Sequence, residues 1–266
     1  MSKAKTIGIL SIKGGVGKTS AVAALGAAIA GFDKKVLLID GNFSAPNLGL
    51  HLGIVNPKVT IHHVMQNKAK AENAIYEYAG MHVIPASLLS RKVKNPLKLK
   101  DKIKSLKEFY DIILIDSSPA LNDETLAAMM ASDELLVVTT PDYPTLSTTL
   151  RAVRLAKQRR TPISGLILNK VHNKKFELSI EDIEEATGVP VLAMLPYDVN
   201  VLEALSQATP STVYKEKSDG TIEYKKLAAA LIGEEYNDPR FMSRLKSLFK
   251  KPLKQDDNRD KMFLGR

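Results

Sequence analysis

Ten residues, Ser11-Ile12-Lys13-Gly14-Gly15-Val16-Gly17-Lys18-Thr19-Ser20, bring together three glycines, two lysines and three hydroxyls. Their end, Gly17-Lys18-Thr19, matches the phosphate-loop pattern Gly-x-x-x-x-Gly-Lys-Ser/Thr, but Ile12 stands where that pattern has its first glycine. Lys13 is a second cation beside it. Glycines at 14, 15 and 17 let consecutive backbone N–H groups turn toward one anion, and a helix beginning at Lys18 adds partial positive charge. The run from Gly14 to Ser20, Val16 included, is therefore the candidate nucleotide cradle. Lys18 has the reach for β- and γ-phosphates, and the Thr19 hydroxyl suits Mg2+. A glycine-rich turn that merely enters a helix would account for the glycines but not for the Lys-Thr pair.

A magnesium site also needs carboxylates. Two apolar runs, "VLLID" and "DIILID", end in Asp40 and Asp116. At the carboxyl ends of parallel strands such groups border the ligand crevice, and Mg2+ keeps several of its waters while doing so. Either aspartate alone could equally be a helix cap. His62 and His63 are neighbours in sequence, so they tend to point apart, and they read as surface or internally satisfied residues.

The elements that would position these groups follow from hydrophobic pattern. Strands are expected over 6–12, 35–40, 81–86, 111–116, 134–140, 163–170 and 189–195, several of them continuously apolar. Helical spacing fills the intervals, as in 18–32 and 179–188. This alternation predicts an α/β fold, a mostly parallel twisted sheet with helices on both faces. The lysine-rich stretch 87–107 keeps apolar residues at Leu99, Ile103 and Leu106, the pattern of a covering helix with a solvated face. The segment 139–146 is expected to be the loop after a strand, with Thr145 starting the next helix.

Composition narrows the function classes. Zero cysteines excludes disulfides, a cysteine nucleophile and thiolate-held clusters. No run of about 18 apolar residues is present, and the first residues lack the apolar stretch of a secretory signal, so a cytosolic location is expected. The net charge of +9 is uneven: from 239 to 266 there are nine Lys/Arg against three Asp, +6 of the total. A basic tail points to a polyanion, membrane surface or nucleic acid.

With these motifs in their order, the chain resembles the MinD/ParA ATPases and is closest to the MinD-like members. "KGGVGKTS" is similar to that family's deviant Walker A loop, which tolerates a residue such as Ile12 and has a signature lysine at the place of Lys13. "DIILIDSSPA" resembles its Walker B and switch II, with Asp116 as the magnesium aspartate and Pro119 as the switch proline. "LLIDGNFSAPNLGLHLG" resembles switch I, where Asn47 marks the MinD-like form. "LILNK" and "LPYD" resemble the adenine-pocket segments, which implies that Asn169 and the stretch from Pro196 to Asp198 flank the base. The likeness runs from about residue 5 to 235. It implies a single P-loop NTPase domain over 1–237, ATP and Mg2+ as cofactors, and an ATP-dependent homodimer. In such a dimer Lys13 would cross the interface and contact the partner's nucleotide, joining Lys18 as a catalytic cation. One departure stands out. The family usually carries Asp-x-Asp in switch I, and here it is Asp40-Gly41-Asn42. Asn42 can accept a hydrogen bond but bears no charge, so slow hydrolysis is expected.

The segment 238–252 reads as a basic amphipathic helix. Asp238 suits its cap, Pro239 its first turn and Pro252 its end. Phe241, Met242, Leu245, Leu248 and Phe249 form one stripe, with lysines and arginines around it, the pattern of an interfacial membrane helix. A helix docking its stripe on the domain is the plainer alternative. Each basic residue near an anionic leaflet adds about 1 kcal/mol, so one copy binds marginally and two on one dimer gain avidity. Residues 253–266 have the composition of a disordered tail. The resulting expectation is a MinD-like ATPase, cytoplasmic and peripheral on the inner face of the cell membrane, that helps position a cellular structure and answers to an unidentified activating protein. The alternative is a ParA-like partition ATPase that binds DNA nonspecifically.

Overall fold

The computed structural model describes residues 3–90 and 93–240. Eight strands form one sheet: β1 (Lys5–Leu10), β2 (Val36–Asp40), β3 (Tyr76–Tyr78), β4 (Met81–Ile84), β5 (Ile112–Asp116), β6 (Glu134–Thr139), β7 (Ile163–Val171) and β8 (Val191–Pro196). Their spatial order is β3-β4-β2-β5-β1-β6-β7-β8, and every pairing is parallel except β3 with β4. The chain moves to one side of β1 with β2 to β5 and to the other with β6 to β8, so the loop after β1 opens at the point where the order reverses. That is where open α/β sheets bind ligands.

Residues alternate strictly between the two faces of the strands. Leu37, Ile39, Ile113, Ile115, Leu135 and Val137 enter one core. It is closed by α3 (Ile61–Met65), α4 (Leu99–Ile103), α5 (Asp123–Ala131), α6 (Tyr143–Arg159) and α7 (Ile180–Thr187). Val36, Leu38, Ile112, Leu114, Leu136 and Val138 enter the other core, against α1 (Lys18–Ala30) and α10 (Asp219–Ile232). Short helices α2 (Leu48–His51), α8 (Val199–Ser206) and α9 (Ser211–Tyr214) complete the fold. Helix α1 is apolar nearly all round because the sheet covers one side and α9 and α10 the other.

All seven expected strands are present with ends shifted by a few residues. The eighth, β3, is a three-residue edge strand turned back through Ala79 and Gly80, both at positive φ. Its Tyr-Glu-Tyr pattern has no apolar run to mark it. Leu99, Ile103 and Leu106 are buried as their spacing predicts. Their element, however, is α4 flanked by 3-10 turns at Pro96–Lys98 and Lys104–Glu108. Lysines four apart at 94, 98 and 102 and at 100 and 104 repel one another on a regular helix.

The chain divides after Glu234, just beyond the glycine that caps α10. In the unit from Glu235 onward, Asp238 accepts the Arg240 N–H (2.9 Å) and pairs with its guanidinium (2.7 Å). The expected stripe of Phe241, Met242, Leu245, Leu248 and Phe249, and the tail 253–266, lie outside the described residues. Among the described residues no helix is long and apolar enough to cross a membrane.

Helix α1 approaches β2 so closely that a Cβ on Gly26 would lie 2.6 Å from Leu38 Cδ2, so the fully buried Leu38 side chain would have to shift. Gly26→Ala is expected to destabilise the domain by about 1–3 kcal/mol through overpacking, read as a lower urea midpoint with unchanged m value.

Candidate nucleotide site

The loop between β1 and α1 is held from β7. Asn169 Nδ2 donates to the Val16 carbonyl (2.7 Å) and Lys170 Nζ to the Gly15 carbonyl (2.7 Å). In a trans peptide the C=O and N–H point in opposite directions, so the Val16 and Gly17 N–H groups face away from these anchors. Gly17 caps α1 at φ +90°, and a Cβ there would lie 2.3 Å from Asn169 Nδ2. Both the left-handed conformation and the close approach require glycine. Ser11 Oγ accepts the Lys13 N–H (3.2 Å) and donates to the Lys13 carbonyl (2.8 Å), shaping the start of the loop. Ile12 is half-buried against the core, which gives its side chain an apolar place.

Asp40 and Asp116 are register partners at the ends of β2 and β5, and both are fully buried. The Lys18 ammonium lies between the loop and β5, bonded to Asp116 Oδ1 and the Ser117 carbonyl. Asp116 Oδ2 is buried with no partner among the described residues. Asp40 is committed differently: Oδ1 accepts the Asn42 N–H (3.1 Å), and Oδ2 accepts those of Asn47 (3.2 Å) and Leu48 (3.1 Å). Burial first, and then the charge of Asp116, push the Asp40 carboxyl up to about 7. Among the described residues no group of three His, Cys, Asp or Glu side chains is arranged to hold a metal. Mg2+ beside phosphates needs only one or two carboxylates. The unpartnered Asp116 Oδ2, with the Thr19 hydroxyl at the start of α1, fits such an ion, and Asp40 could serve it only through water.

The loop from Gly41 to Asn47 is tied to several elements at once. Asn42 is buried, its Nδ2 donates to the Ala45 carbonyl, and its Oδ1 has no partner among the described residues. Asn47 Nδ2 reaches the same carbonyl (3.1 Å). His62, on α3, is the internally satisfied residue that sequence allowed: Nδ1 accepts the Ser87 N–H (3.1 Å) and Nε2 donates to the Phe43 carbonyl (3.1 Å). Burial holds its pKa below the ordinary value, against the opposing pull of that carbonyl and of Glu124. His63 is satisfied at the Thr60 cap of α3.

These pieces border one cavity of about 410 Å³, within the range of small-molecule sites. Lys13, the loop from Gly14 to Ser20, Asn42, Asn47, Pro119, Asn169, Pro196 and Asp198 all line it. Asp40 and Asp116 lie buried beneath. One end of the cavity is apolar, formed by Leu195, Tyr197, Val201, Leu202, Leu205 and Tyr224. Asp198 caps α8 through the Asn200 N–H (2.9 Å), so its contribution to a base site is first to fix that helix. Sequence reading missed Lys170 and the apolar face of α8. The sequence signal for α8 was the helical spacing of Val201, Leu202 and Leu205, of which the structure leaves Leu202 and Leu205 exposed.

Lys13 Nζ donates to Thr145 Oγ1 (2.6 Å) and pairs with Asp142 (3.3 Å) within its own chain, at a half-exposed position. Helix α6 begins at Tyr143, not at Thr145, because Asp142 is its cap and accepts the Thr145 N–H (2.9 Å). Burial raises the Asp142 pKa, but hydrogen bonds from Thr140, Thr145 and Lys13 outweigh it and leave the carboxyl below its ordinary value.

A family model described as AAA domain matches residues 4–162. An uncharacterised ATP-binding protein of Methanocaldococcus jannaschii is 36% identical over 233 residues, which cover 86% of this chain and 88% of that protein. Two solved structures are similar at a TM-score of 0.81 and 34% identity, each over 86% of this chain. They are the cell division ATPase MinD of Pyrococcus furiosus, 98% of which is covered, and the septum site-determining protein MinD of Pyrococcus horikoshii complexed with Mg-ADP, 96% of which is covered.

Removing the cation from the buried pair tests its electrostatics. Lys18→Met leaves the buried Asp116 carboxyl without its partner, and is expected to cost about 3–5 kcal/mol in the nucleotide-free chain. Adding Asp116→Asn should recover a large part of that loss, so a double-mutant cycle by urea denaturation will show strong coupling.

Proposed function

Because the chain belongs to the MinD/ParA family of P-loop ATPases, we propose that it binds Mg-ATP in this cavity and dimerises on it. The dimer then associates reversibly with the inner face of the cell membrane and helps position a cellular structure. The observation that carries the reading is the meeting of the phosphate loop, Asn42, Asn47, Pro119 and Lys13 around one cavity. ATP supplies the phosphoryl group for transfer to water, and Mg2+ offsets its charge.

The chain's own groups are poised for exchange. Lys18 leaves Asp116 to meet β- and γ-phosphate oxygens, which frees a second buried carboxylate oxygen for the magnesium shell. Lys13 leaves Asp142 and Thr145 to reach a partner's nucleotide. A half-exposed ion pair contributes about 0–1 kcal/mol, so that release costs little. The nucleotide is thereby read in trans, and hydrolysis depends on the homodimer. Asn42 Oδ1 is free to accept a hydrogen bond from the attacking water. An amide orients that water but takes no proton, which supports slow turnover. Dimerisation doubles the segment 238–252, so ATP controls attachment to an anionic membrane, and an activating protein would set the moment of release.

Co-sedimentation with anionic liposomes tests the membrane arm. The intact chain should pellet with ATP and not with ADP, and a chain ending at Asp238 should stay in solution. Binding that ignores the nucleotide, or none by either form, would overturn this reading. Salt-steep DNA binding in its place would establish the partition alternative. A second measurement addresses Asn42: single-turnover hydrolysis should quicken in Asn42→Asp, and an unchanged rate would mean that the missing charge does not limit turnover.

A further inference from the structure

One peptide unit beyond Asn42 is gripped at both ends. The carbonyl of the 43–44 peptide, from Phe43, accepts from His62 Nε2 (3.1 Å), and its N–H, from Ser44, donates to Glu124 Oε2 (3.3 Å). The imidazole is itself fixed, since Nδ1 accepts the Ser87 N–H and the Phe43 ring meets it edge-on at 5.9 Å. His62 and Glu124 are buried, at 1% and 8% exposure. Glu124 makes no ion pair among the described residues. A buried carboxylate facing one backbone N–H is a costly way to hold a loop in place.

Its position gives that cost a purpose. Glu124 lies in the first turn of α5, directly after the loop that carries Pro119. Helix and loop are one hydrogen-bonded unit: Asn122 caps α5 through the Glu124 and Thr125 N–H groups, Asn122 Nδ2 donates to Ser118 Oγ (3.3 Å), and Thr125 Oγ1 donates to the Ser118 carbonyl (3.0 Å). On the other side, the 43–44 peptide lies between Asn42 and the Ala45 carbonyl that holds the Asn42 side chain. We propose that His62 and Glu124 form a clamp on the 43–44 peptide that transmits the position of the Pro119 loop to Asn42, making both positioning residues for hydrolysis. The inference rests on the reading of Asn42 as the acceptor for the attacking water. Moving the loop moves Glu124, rotates the clamped peptide and shifts the Ala45 carbonyl, and the Asn42 amide follows.

The test uses the full chain with Glu124→Ala, Glu124→Gln, which keeps an oxygen acceptor, and His62→Gln, which keeps an N–H donor. Amide hydrogen exchange over 41–47 without nucleotide reads the clamp directly. Single-turnover hydrolysis and the affinity for a fluorescent ATP analogue read its consequence. Loss of one hydrogen bond to a charged group corresponds to about a tenfold change. Glu124→Ala should therefore exchange about tenfold faster over 41–47 and hydrolyse about tenfold more slowly, with affinity changed by less than about threefold. Glu124→Gln and His62→Gln should stay near the parent. Unchanged exchange in Glu124→Ala, affinity falling in step with rate, or Glu124→Gln as impaired as Glu124→Ala would each overturn the clamp. A parent chain that turns over no ATP would refute the proposed function instead, and the exchange measurement would still decide the clamp.

Discussion

Two carboxylates, Asp40 and Asp116, stand side by side at the centre of the sheet, fully buried, with one ammonium between the phosphate loop and the strand end to compensate them. Charge of this density cannot be stored in an apolar interior without partners. Much of the site follows from how it is stored. Lys18 bonds Asp116, which ties α1 to the end of β5 and draws the loop over the sheet. Asp40 has no cation of its own and takes three backbone N–H groups, which folds the following segment over it. Its carboxyl is nonetheless pushed up to about 7 by burial and by Asp116. The cluster is short of positive charge, and a divalent cation beside phosphates is the chemistry that relieves it.

The loops over this cluster are held by side chains from far away in sequence. Asn169 and Lys170 lie 153 and 155 residues from the carbonyls they bind. They turn those carbonyls away so that the neighbouring N–H groups can face an anion. Lys13 is drawn off to the cap of α6 by Asp142 and Thr145. Each lysine near the cavity therefore has an intramolecular partner that competes with a phosphate. For the two lysines of the loop the competition is graded: stronger for Lys18, which is buried, and weaker for Lys13, which is half-exposed. Cations held in this graded way can be released in order, the outer one at little cost.

How much of this was legible in the sequence depended on whether a contact was local. Gly14 to Thr19, Asp40 and Asp116 were readable because strand, loop and helix follow one another within one stretch of chain. The seven longer strands were readable because burial on both faces leaves continuous apolar runs. Ile12 was legible as a departure, and its half-buried place against the core explains why it is tolerated. The Asp142 cap was missed because Thr145 also looked like a start. Lys170, Glu124 and the particular contacts of His62 were not legible. Their partners lie on other elements, and a lone lysine, histidine or glutamate at the end of a regular element looks like solvated surface until the fold brings its partner to it.

Asn42 shows where such non-local reading changes the chemistry. By residue type alone it is an aspartate that lost its charge. Its amide, though, does what a carboxylate cannot, since Nδ2 donates to the Ala45 carbonyl while Oδ1 is left bare and buried. A carboxylate in that place would turn one oxygen toward a carbonyl and add a third negative group near Asp40 and Asp116, which already share one lysine. The amide therefore trades basicity for a fixed loop. In phosphoryl transfer positioning counts for more than proton abstraction, and positioning is the side of the trade that the amide keeps. It also moves the burden of precision onto whatever holds the loop, which here is the peptide beside it and the two buried side chains that grip that peptide from α3 and α5.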